Sequence, residues 1–76
     1  MTIDKIKEIL PKTVYKHWME CTDLAKMERA LKELRWMIEN QKELLLTGDL
    51  VNRYYAEAEL LQKRTSSITS SKIRVI

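Results

Sequence analysis

Leu24, Met27, Leu31, Leu34, Ile38, Gln41 and Leu45 recur at alternating steps of three and four residues. That spacing is the signature of an amphipathic helix with an apolar seam, interrupted here by a single amide. It predicts a long helix over residues 22–46, about 36 Å from end to end. Thr22 and Asp23 offer an N-terminal cap, and Glu28 with Lys32 form an i,i+4 pair of the favourable order on the solvated side. Ala30, Met37 and Leu44 widen the apolar arc beyond a two-stranded seam, so the helix suits two neighbours. Gln41 either fixes register, as single amides do in coiled coils, or sits near a bundle end with its amide in water. The spacing leaves open whether the seam closes within one chain or between two.

The rest of the chain reads as material to cover that seam. Thr47-Gly48-Asp49 is its clearest punctuation: Gly48 suits the left-handed conformation that ends a helix, and Asp49 suits the cap of the next. A shorter helix over 50–64 then presents Val51, Tyr54, Ala58 and Leu61 at heptad spacing, and so short a connection makes the two helices antiparallel. Upstream, Thr2 can cap a helix lined by Ile3, Ile6 and Leu10 until Pro11 stops or kinks it. Thr13 then caps a segment in which Val14, Trp18 and Cys21 share one side. The fold class expected is all-α: an antiparallel helical hairpin with a kinked N-terminal segment packed across the long helix. Residues 1–65 form that single domain. Residues 66–76 read as a Ser/Thr-rich linker followed by a basic β-like tail, since Lys72-Ile73-Arg74-Val75-Ile76 alternates charge with β-branched residues.

Composition narrows the class further. A chain of 76 residues buries only about 60% of its unfolded surface and is marginal without help. A lone cysteine, Cys21, excludes an internal disulfide and fits a reducing compartment. One Gly, one Pro and no Phe argue against a many-stranded β fold. No apolar run approaches a membrane span, and Asp4, Lys5, Lys7 and Glu8 stand where a signal peptide needs apolar residues. The expectation is a cytoplasmic protein with no membrane contact.

Catalysis has little to work with. There is no glycine-rich phosphate loop, no serine in a nucleophile turn and no paired-histidine motif. His17 and Cys21 stand four apart, and two copies would be needed to assemble a zinc site from them, which is a weak signal. No enzyme activity, cofactor or metal is expected.

Contact surface is the stronger theme. Trp36 points away from the seam and is a candidate anchor, unless Val14, Tyr15 or Trp18 folds over it. Leu60 faces away from the seam of its own helix. The tail residues Lys72, Ile73, Arg74, Val75 and Ile76 have no strand partner in the chain and would pair with another protein's sheet or with their own copy. The reading is a small non-catalytic interaction module, a regulator, inhibitor or assembly subunit, whose partner is another protein or a second copy. The alternative is a small basic nucleic-acid-binding protein. Of the net charge of +3, the last eleven residues hold +2, and Lys63, Arg64, Lys72 and Arg74 form an acid-free stretch.

Overall fold

A computed structural model describes the backbone from residue 2 to residue 74 and the side chains from residue 2 to residue 68. The described residues form four helices and no strand: α1 (Ile3–Ile9), α2 (Lys12–Glu20), α3 (Leu24–Glu39) and α4 (Gly48–Arg74). The molecule is elongated, 45 × 24 × 19 Å. None of these helices is long and apolar enough to cross a membrane.

Local chemistry sets most of the boundaries. Thr2 caps α1, its hydroxyl accepting from the Lys5 amide at 3.3 Å. Leu10 ends α1 in an extended conformation (ψ 144°), as a residue preceding proline must. Pro11 then occupies the N-cap of α2, without a side-chain hydrogen bond, and Thr13 lies inside the first turn rather than capping it. Asp23 caps α3, accepting from the Lys26 amide at 3.2 Å.

The long helix is shorter than its heptad pattern predicts. α3 ends at Glu39, and the side-chain amide of Asn40 donates back to the Trp36 carbonyl at 2.8 Å. Residues 40–45 form a succession of turns. They close with the Leu46 amide bonded to the Gln41 carbonyl (3.0 Å) and the Leu45 amide to the Lys42 carbonyl (3.3 Å). Those two bonds make a Schellman motif, in which one residue must be left-handed. That residue is Leu45, at φ 55°, and not Gly48. Gly48 instead opens α4 behind Thr47, whose hydroxyl accepts from the Leu50 amide at 3.3 Å, so Thr47 supplies the cap expected of Asp49.

Helix α4 is the organising element. It packs against α3, α1 and α2, so the N-terminal segment lies on α4 rather than across the expected long helix. Its α3-facing flank carries Tyr55, Ala58, Glu59 and Gln62, opposite Arg35, Ile38 and Glu39. Another flank reaches the N-terminal region. Glu57 accepts from Trp18 of α2, and the Arg64 guanidinium donates to the Cys21 carbonyl at 3.2 Å, just beyond the end of α2. The core between these helices comprises Ile6, Leu10, Trp18, Met27, Leu31, Leu34, Ala56, Ala58, Leu60 and Leu61. Ile6, Met27, Leu60 and Leu61 are its largest fully enclosed side chains, each worth about 1.5–3 kcal/mol of burial.

The Ser/Thr segment also departs from expectation. Where a linker and strand are predicted, helix continues through Arg74. Thr65 is buried and its hydroxyl donates to the Gln62 carbonyl at 3.1 Å, which satisfies the one polar atom it takes inside. Ile68 packs against the core beyond it. The backbone of Lys72, Ile73 and Arg74 is therefore helical, while their side chains, and all of Val75 and Ile76, lie outside the described residues.

Candidate functional site

The seam of α3 is consumed within the chain. Met27, Leu31 and Leu34 are buried, and Leu24 and Ile38 are half-buried at its ends. Gln41 and Leu45 are not part of it. They lie in the turns beyond Glu39, where Gln41 is exposed and donates to the Ile38 carbonyl at 3.2 Å, and Leu45 is 87% exposed. A helix buried on this one stripe must present the opposite stripe outward. On α3 that stripe carries Lys26, Arg29, Glu33 and Trp36, again at steps of three, four and three.

Trp36 is 56% exposed. None of the residues able to cover it does so. Val14 and Tyr15 are half-buried against the core. Trp18 is itself buried, with its indole Nε1–H donated to Glu57 Oε1 at 3.2 Å and its ring edge-on to His17 at a centroid distance of 4.7 Å. Trp18 and Trp36 both line a shallow groove of about 670 Å³. Ala30, Lys26, Arg29, Lys32 and Glu33 complete its lining. On the other flank of Trp36 a second depression of about 340 Å³ is lined by Glu28, Leu31, Lys32, Arg35 and Glu39. The indole is a ridge between two hollows.

Leu60 corrects the sequence reading. It is 0% exposed and belongs to the core, because α4 is covered on more than one side and a residue off the α3-facing stripe still meets a neighbour. Trp36 and Leu60 therefore do not share a surface. A different apolar group is exposed at the α3–α4 connection, where Leu44 (41% exposed) adjoins Leu45. The basic groove was not singled out by sequence reasoning, although the 26-29-33-36 stripe was available as its signal.

Among the described residues, no group of three or more His, Cys, Asp or Glu side chains converges as a metal site would. Comparison of the chain with protein-family models, with curated proteins and with solved structures finds no match.

Proposed function

We propose that the protein is a small non-catalytic interaction module, a regulator, inhibitor or assembly subunit that acts by stoichiometric binding through the Trp36 face. The observation that carries this reading is a tryptophan more than half exposed in the middle of a helix whose other face is fully used. Removing an indole of that size from water on binding is a large gain, and tryptophan is enriched among residues that dominate interfaces. Because the seam residues Met27, Leu31 and Leu34 are already enclosed, a second copy has no free seam to join, which supports a protein of different sequence as the partner over a homodimer built on that stripe. The lone thiol of Cys21 supports the cytoplasm as the compartment.

The nucleic-acid reading loses part of its basis, since Arg64, one of the four cations invoked for it, is engaged with the Cys21 carbonyl. The deciding experiment is native mass spectrometry of the tagged protein recovered from its source cell, with and without nuclease, for the wild type and Trp36→Ala. A defined protein adduct that survives nuclease and is lost in Trp36→Ala is the expected result. An adduct removed by nuclease would replace this reading with the other.

A further inference from the structure

The groove between Trp18 and Trp36 has a chemistry that its sequence average conceals. Over Leu24–Glu39 the charges nearly cancel, with four cations against three carboxylates. They are unevenly placed. Lys26, Arg29 and Lys32 line the groove with Glu33 as the one acid among its described lining residues, whereas the hollow that shares Lys32 and Trp36 with it is balanced, Lys32 and Arg35 against Glu28 and Glu39. The negative charge that a helix N-terminus prefers comes from the Asp23 cap, and the first turn of α3 itself contains Lys26 and no acidic residue.

We propose that this groove binds an acidic amphipathic peptide segment of a partner protein. The segment seats apolar side chains against the Trp36 ring and over Ala30, and sets its carboxylates on Lys26, Arg29 and Lys32. The proposal rests on the interaction-module reading and names the class of partner for the same face. The length fits. From Lys26 to Trp36 the helix rises about 15 Å, which matches roughly ten residues of a helical ligand laid along it. Ala30 is the smallest side chain lining the groove, so a larger residue there reduces its volume. Charge complementarity selects an acidic occupant and excludes a basic one.

A single-stranded nucleic acid fits less well. Stacking successive bases needs successive exposed rings. Trp18 is buried with its Nε1–H committed to Glu57, so the groove offers one free indole, and Glu33 would face the phosphates.

The test is selection of a displayed random dodecapeptide library on the full-length chain, followed by anisotropy titration of the enriched peptides and of fluorescein-labelled dT20. The enriched pool should be net acidic with apolar residues spaced three or four apart. Its affinity should fall by about tenfold or more in Arg29→Glu, Trp36→Ala and Ala30→Leu, and persist in Arg29→Lys. Circular dichroism of each variant checks that the helices are retained. Neutral or basic peptides that are indifferent to Arg29→Glu but lost in Trp36→Ala would overturn the acidic class and leave the interaction reading standing. Absence of enrichment, binding indifferent to Trp36→Ala, or preference for dT20 would overturn both.

Discussion

The Trp18 indole donates to the Glu57 carboxylate at 3.2 Å, across 39 residues of sequence. This bond joins α2 to α4 and decides the fates of the two tryptophans. Trp18 is held inward, 8% exposed, and so cannot fold over Trp36. Buried indoles carry a polar N–H that must be satisfied, and Glu57 supplies the acceptor.

The two tryptophans should therefore separate cleanly in stability measurements. Trp18→Ala is expected to cost about 3–5 kcal/mol, whereas Trp36→Ala should cost less than about 1 kcal/mol. Urea titration followed by circular dichroism reads both. Equal costs would mean that Trp36 is a core residue.

At the α3–α4 connection, Leu45 adopts a left-handed backbone that glycine would adopt without penalty, and its side chain is 87% exposed. Leu45→Gly should raise stability by about 1 kcal/mol, since it removes the steric cost without losing buried surface. Loss of stability in that variant would show that the Schellman geometry is not populated in solution.

Gly48 gives the converse case. Its φ is not positive, and a methyl group built on it meets nothing within 4 Å. Gly48→Ala should stabilise the protein by about 0.5–1 kcal/mol by restricting the unfolded chain. Had Gly48 been the left-handed terminator, the same change would destabilise, so the sign of the effect discriminates between the two geometries.

For α4, Leu60→Ala should cost about 2–5 kcal/mol because the side chain is fully enclosed. Thr65→Val should be tolerated within about 1 kcal/mol, as the lost hydroxyl bond is local and the shape is kept. Backbone chemical shifts through Ser66–Ser71 should be helical. Extended shifts there would restore the linker.

Much of this fold was legible because caps and periodicity are local signals. Thr2, Pro11, Asp23 and the 24-27-31-34-38 stripe mark the starts of three helices. The pattern misled where it ran past a real terminus: Gln41 and Leu45 keep heptad spacing but lie in turns that only the hydrogen bonds of Asn40 and Leu46 reveal. Thr65 and Ile68 continue the Val51-Tyr54-Ala58-Leu61 series at steps of four and three, yet low helix propensity obscured that continuity. Burial of Thr65 and packing of Ile68 against the core outweigh propensity there. Leu60 escapes a one-seam reading because α4 meets three other helices. The groove beside Trp36 depends on Trp18 arriving from another helix, which no stretch of α3 encodes alone.

The proposed function requires a partner that covers Trp36. The most direct measurement uses a Trp18→Phe protein, in which Trp36 is the one remaining indole, titrated with the partner recovered by native mass spectrometry. Binding should shift the emission to the blue and protect it from iodide quenching. Stoichiometric binding with the emission and quenching of Trp36 unchanged would place the interface away from Trp36.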